Sequence, residues 1–136
     1  MVRLFPRRLI LAIVLAGVLA AACGAGARAG EGGVAFVSGI EDLPLMDGLR
    51  EAEEESMVFD TVAGRIVESY ASGAVTRRQV LEFYASTLPQ LGWRRRNETT
   101  FQREDEILKL EFSAAAAKPA LTVRFALSPA NAAAAR

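Results

Sequence analysis

The densest cluster of reactive side chains in this sequence is acidic: Glu51, Glu53, Glu54 and Glu55. Carboxylates hold calcium or magnesium when a turn folds them inward, but an ion-binding loop interleaves its acids with Gly, Asn or Asp, whereas adjacent glutamates repel one another. A solvated loop is the expectation here. Asp60 and Glu68 fall on the two arms of an expected hairpin, where facing carboxylates would form the acid and base pair that glycoside hydrolysis uses. Simple exposure of both is the plainer expectation. Ser69, Ser72 and Ser86 lack a G-x-S-x-G elbow, and neither Lys109 nor Lys118 lies in an S-x-x-K setting. With no His and a single Cys, the chain lacks the imidazole base, the Cys–His nucleophile pair and His/Cys zinc sites. No catalytic residue, metal site or cofactor is therefore expected.

Arg94, Arg95 and Arg96 beside Trp93 could place cations and an aromatic plane against a nucleic acid. On a strand, Arg95 points opposite to its two neighbours, so the run is not one patch. Pairing with Glu104, Asp105 and Glu106 across the next hairpin is expected instead, with Trp93 in the core.

The positioning elements begin with an address. Arg3, Arg7 and Arg8 precede an uncharged run of 14 residues from Leu9 to Ala22, too short for a span of about 20 residues and suited to an export signal. Ala27-Arg28-Ala29 offers an A-x-A cleavage site that leaves Gly30 as the new terminus. Cys23, which follows Leu19-Ala20-Ala21-Ala22 and precedes Gly24, offers a second reading: the segment resembles the lipobox of bacterial lipoproteins, with Ala20 where leucine is usual. Lipid attachment at Cys23 and cleavage after Ala29 both stay open. The Arg7-Arg8 pair reads as an ordinary positive n-region, since no cofactor motif follows that would require folding before export. Removing residues 1–29 takes away four arginines and no acid, leaving 12 basic against 16 acidic residues, net −4. Such a balance does not suit a nucleic-acid partner.

Residues 30–40 read as a flexible spacer, 41–127 as one domain and 128–136 as an Ala-rich disordered tail. Met57-Val58-Phe59 and Arg65 to Tyr70 flank a turn ending in Ala63-Gly64, which predicts a hairpin. Thr76 and Gln79 have the spacing of a capping box, so a helix should begin there. Val80, Phe83, Tyr84, Leu88 and Leu91 line one side of a 3.6-residue period, and Pro89 with Gly92 should stop the helix near Leu88. Period-two segments then follow at 93–96, 99–103, 107–112 and 121–127. The fold class expected is α+β, an antiparallel sheet of about five strands with one helix on one face, in the order strand, strand, helix, strands.

Leu43, Leu45, Met46 and Leu49 surround Pro44 and Gly48 in a segment too irregular for helix or strand. They are either buried across an end of the sheet or form an apolar strip awaiting a partner, and burial is the plainer reading.

Three stretches carry a resemblance: Asp42 to Leu49, Phe59-Asp60 with Gly64-Arg65-Ile66-Val67, and Phe83-Tyr84 with Leu88-Pro89-Gln90-Leu91-Gly92-Trp93. Over roughly residues 41–127 the chain resembles a family of small uncharacterised exported proteins of Gram-negative bacteria. That resemblance implies export and this fold, and adds no substrate or cofactor. The expected function is an exported, periplasmic envelope domain with a non-catalytic binding or structural role, its partner another envelope protein or an envelope component. Membrane contact would arise only through a retained signal anchor or lipidated Cys23. The alternative is a small carboxylate-dependent hydrolase or lyase using Asp60 and Glu68.

Overall fold

The computed structural model describes residues 33–115 and 120–134; the expected export signal, lipid attachment at Cys23 and cleavage after Ala29 lie outside them. Local chemistry sets the first hairpin. β2 (Met57–Thr61) and β3 (Gly64–Gly73) carry β-branched and aromatic residues and pair antiparallel, with Thr61 opposite Gly64 across the turn of Val62 and Ala63. Gly64 takes φ 136°, which its missing Cβ permits. Ahead of this hairpin, β1 (Arg50–Glu51) pairs with the far end of the same edge of β3, separated from β2 by a 3-10 turn over Glu53–Glu55.

Helix α1 (Arg77–Thr87) starts where its cap dictates. The Thr76 hydroxyl accepts from the Gln79 amide at 3.2 Å, and the Gln79 side chain accepts from the Thr76 amide at 2.9 Å. Pro89 tightens the exit into a 3-10 turn over Leu88–Leu91, and Gly92 at φ 87° reverses the chain, with the Trp93 amide donating to the Leu88 carbonyl at 3.0 Å. The meander β4 (Arg94–Arg95), β5 (Thr100–Arg103), β6 (Glu106–Ala114) and β7 (Leu121–Pro129) then returns so that β7 pairs with β3. Short helix α2 (Ala130–Ala134) follows.

The sheet runs β1-β3-β7-β6-β5-β4, with β2 beside β1 on the outer edge of β3, and every pairing is antiparallel. The α+β class, the antiparallel sheet and the single main helix stand. The strand count and order are corrected: among the described residues there are seven strands, three before α1 and four after it. Two-residue β1 is too short to leave a periodic signal, whereas β4 falls within the period-two segment at 93–96.

One face of the sheet is apolar. Val67 and Ala71 of β3, Phe101 of β5, Leu108 and Leu110 of β6, and Val123, Phe125 and Leu127 of β7 are buried in one core with Val80 and Tyr84 of α1 and Leu88 of the turn that follows it. Each fully buried large side chain contributes about 1.5–3 kcal/mol. Tyr84 is the deeper of the two adjacent helix aromatics, standing edge-on to Phe125 at 5.5 Å while Phe83 is only partly buried. Its hydroxyl donates to the Pro44 carbonyl at 2.9 Å, and burial pushes its pKa up.

Beside α1 lies a strap of residues 36–49. It folds on itself through a Phe36–Pro44 bridge and a Val37 amide donating to the Leu43 carbonyl at 2.9 Å. Val37, Ile40, Leu43 and Leu49 are buried, and Leu45 and Met46 pack partly buried against the core. This corrects two expectations. The domain begins before residue 41, because Val37 and Ile40 belong to the core rather than to a spacer. It also continues past 127, because Ser128 and Pro129 pair with Ile107 and Glu106, and the Ala130 amide donates to the Asp105 carbonyl at 2.7 Å. No helix among the described residues is long and apolar enough to cross a membrane.

Candidate docking edge

The side chains singled out from the sequence do not converge. In β2–β3, Asp60 lies opposite Arg65 on the face that carries Val58 and Val67, whereas Glu68 lies opposite Met57 on the other face. Residues opposite each other share a face and successive residues alternate, so the two carboxylates project from opposite sides of the sheet. The pair that a hydrolase or lyase would need is not formed. Glu68 instead joins Arg124, which also holds Glu111, in a line of ion pairs across β3, β7 and β6; hydrogen bonds that Arg124 donates to Glu111 and then Glu68 raise the arginine's pKa. That line keeps the middle of the helix-free face wet.

Glu53, Glu54 and Glu55 are exposed, while Glu51 is turned to the strap, accepting from the Ser38 amide at 2.7 Å and the Ser38 hydroxyl at 2.9 Å. Among the described residues no group of three His, Cys, Asp or Glu is placed to hold a metal ion. A groove of about 560 Å³ beside α1 is lined by Arg77, Arg78 and Arg95, but Arg78 pairs with Glu82 at 2.7 Å and Arg77 faces Glu98 at 3.8 Å. Two of the three cations thus already face a carboxylate. Arg94, Arg95 and Arg96 make no ion pair with Glu104, Asp105 or Glu106 among the described residues; Glu106 turns to Arg65 at 2.9 Å, and Arg95 donates to the Asn97 carbonyl at 3.1 Å. Trp93 is 1% exposed, with the Arg103 guanidinium 4.4 Å from its ring centroid. Arg103 also holds Asp42, and its hydrogen bond keeps that carboxyl below the ordinary value of 3.8.

In the segment of Leu43, Leu45, Met46 and Leu49, weighed as buried or as an interaction strip, Leu43 and Leu49 are buried and Leu45 and Met46 are partly buried against the core. Its leucines fill the gap beside α1, and polar contacts pin the strap: Ser69 donates to the Ser38 carbonyl at 2.6 Å and Arg65 to the Gly39 carbonyl at 3.0 Å. The edge of the sheet at β2 is built differently.

All five residues of β2 are exposed. Met57 is 46%, Val58 54% and Phe59 53% exposed, and Val62 at the hairpin tip is 111% exposed. Backbone direction can be read from β3. The Tyr70 carbonyl accepts from the Ala52 amide at 2.8 Å, so the even residues of β3 aim their peptide groups toward this edge. Ile66 and Glu68 thus exchange hydrogen bonds with Phe59 and Met57, and the alternation turns the N–H and C=O of Val58 and Asp60 outward. Among the described residues no strand pairs with that outer side. Natural edges are usually blunted by Lys, Pro, a bulge or very short length, and β2 has only Asp60.

Sequence reasoning identified this hairpin and missed that Met57-Val58-Phe59 is exposed. The signal available was the absence of alternation in an apolar triplet set between Glu53–Glu55 and Asp60. Compared with protein-family models, curated proteins and solved structures, the chain matches none.

Proposed function

We propose that this chain is an exported envelope domain of the periplasm, free or lipid-anchored through Cys23, with a non-catalytic binding role, and that it docks an extended segment of its partner along β2. The observation that carries the reading is the outer edge of β2, where the peptide groups of Val58 and Asp60 have no strand partner among the described residues and are framed by exposed Met57, Val58 and Phe59. An added strand gains affinity from main-chain hydrogen bonds and specificity from alternate side chains. Export is supported by Arg3, Arg7 and Arg8 ahead of the apolar run, and by the likeness of three segments to small exported proteins of Gram-negative bacteria.

A photoreactive side chain placed at Asp60 in growing cells should give a discrete covalent adduct of raised mass. The same group at Glu82, exposed on α1, should give none. Equal labelling at both positions, or no adduct at Asp60, contradicts the reading.

A further inference from the structure

From the pattern of the β2 edge we infer that the strand it docks is β2 of a second copy, antiparallel and centred on Phe59; this rests on the reading of β2 as a docking edge. The outward peptide groups, without a strand partner among the described residues, belong to Val58 and Asp60, which lie symmetrically about Phe59. A two-fold axis through Phe59 sets Val58 of each copy opposite Asp60 of the other, so both outward residues exchange hydrogen bonds twice over. Phe59 then faces itself in a close, non-hydrogen-bonded pair with Cα atoms about 4.5 Å apart, the setting in which cross-strand aromatic pairs contribute most.

Other registers fail on particulars. Centring on Val58 would need the Ser56 amide, which already donates to the Glu53 carbonyl at 3.1 Å. Centring on Asp60 sets two carboxylates directly opposite, which is destabilising. Charge selects the antiparallel sense as well. With Phe59 at the centre, Met57 of each copy lies opposite Thr61 of the other, so the two Glu53–Glu55 turns stand beyond opposite ends of the paired segment, which spans about 14 Å at about 3.4 Å per residue and exceeds one screening length at physiological salt. A parallel pairing would lay both Glu53–Glu55 turns side by side.

The test is a register map by disulfide in the full chain, with Cys23→Ala leaving one thiol per variant. Phe59→Cys should oxidise to a dimer of twice the chain mass, since a pair about 4.5 Å apart lies within disulfide range. Met57→Cys or Thr61→Cys alone should not, because each stands about 14 Å from its own copy at about 3.4 Å per residue. A mixture of those two variants should cross-link. Equal dimer from all three single variants, or none from a folded Phe59→Cys chain, overturns the pairing.

Sedimentation of the unaltered chain gives an independent reading. It should dimerise reversibly, and Val58→Pro should weaken the dimer about tenfold to a hundredfold by removing one outward donor per copy while leaving the inward ladder intact. A chain that stays monomeric at every concentration overturns self-pairing. If a monomeric chain still gives an Asp60 adduct with a different protein, only the identity of the partner is wrong. No adduct at Asp60 removes the docking edge itself, and an adduct with no gain in mass identifies the chain's own segment as the occupant and overturns self-pairing.

Discussion

At one margin of the sheet β4 contributes two exposed arginines, Arg94 and Arg95, with Arg96 following; at the other, β2 contributes five exposed residues of which Met57, Val58 and Phe59 are apolar. Both strands end the same antiparallel sheet and leave peptide groups without a strand neighbour among the described residues. Their chemistry differs. A two-residue strand of like charges offers an incoming chain little length to pair with and repels a second copy of itself, which is how protected edges are built. The five-residue edge has length, apolar side chains and no Lys or Pro. Edge pairing is thus permitted at one margin and discouraged at the other, within a single sheet.

Each margin is backed by a different anchor, and removing the anchors separates the role of support from the role of the edge. Behind β4 stands Trp93, buried under Arg103. Trp93→Ala should destabilise the domain by about 3–5 kcal/mol in chemical denaturation, the range for deleting a buried aromatic. Arg103→Ala should be milder, about 1.5–3 kcal/mol, through loss of hydrogen bonds to Asp42 and the Leu91 carbonyl. The Asp42 pKa is lowered in the folded chain, so the pair's contribution is complete above the ordinary value of 3.8 and is lost as pH falls through the lowered value. Denaturation curves of the Arg103→Ala chain should therefore depend less on pH below about 4 than those of the unaltered chain.

Behind β2 stands Gly39 of the strap, at φ 79°, where a Cβ would meet Val67 Cγ1 at 2.7 Å and Val58 Cγ2 at 2.9 Å. Gly39→Ala should cost about 1–3 kcal/mol by overpacking and should weaken association as well, because it displaces Val58 at the edge. A variant that loses stability with unchanged association would uncouple the strap from the docking edge. Thr76→Ala should have the smallest effect, about 0.5–2 kcal/mol from the lost cap, and leave both margins as they are.

The two margins also differ in how far the sequence discloses them. Thr76 with Gln79, and Pro89 with Gly92, marked both ends of α1, and alternation in β6 and β7 marked the central strands, because these signals are local and strong. The strap was less legible. Val37 and Ile40 precede any periodic segment, and their burial follows from the space beside α1, which exists only once the sheet has formed. Phe83 and Tyr84 share one helical face in a wheel, yet the sheet's position buries Tyr84 more deeply. The pairs Arg65 with Glu106 and Arg103 with Asp42 join residues 41 and 61 positions apart. Nothing local distinguishes those arginines from Arg94 to Arg96. The exposure of Met57-Val58-Phe59 was hidden for the same reason: an apolar triplet reads as core until its strand is known to be the last in the sheet.

Amide hydrogen exchange, resolved residue by residue at rising protein concentration, tests the contrast between the margins most directly. The Val58 and Asp60 amides should exchange freely in dilute solution and become protected as the chain associates, while the Arg94 and Arg95 amides keep the same rates throughout. Val58 and Asp60 amides that stay unprotected at every concentration, or equal gains in protection at both margins, would contradict it.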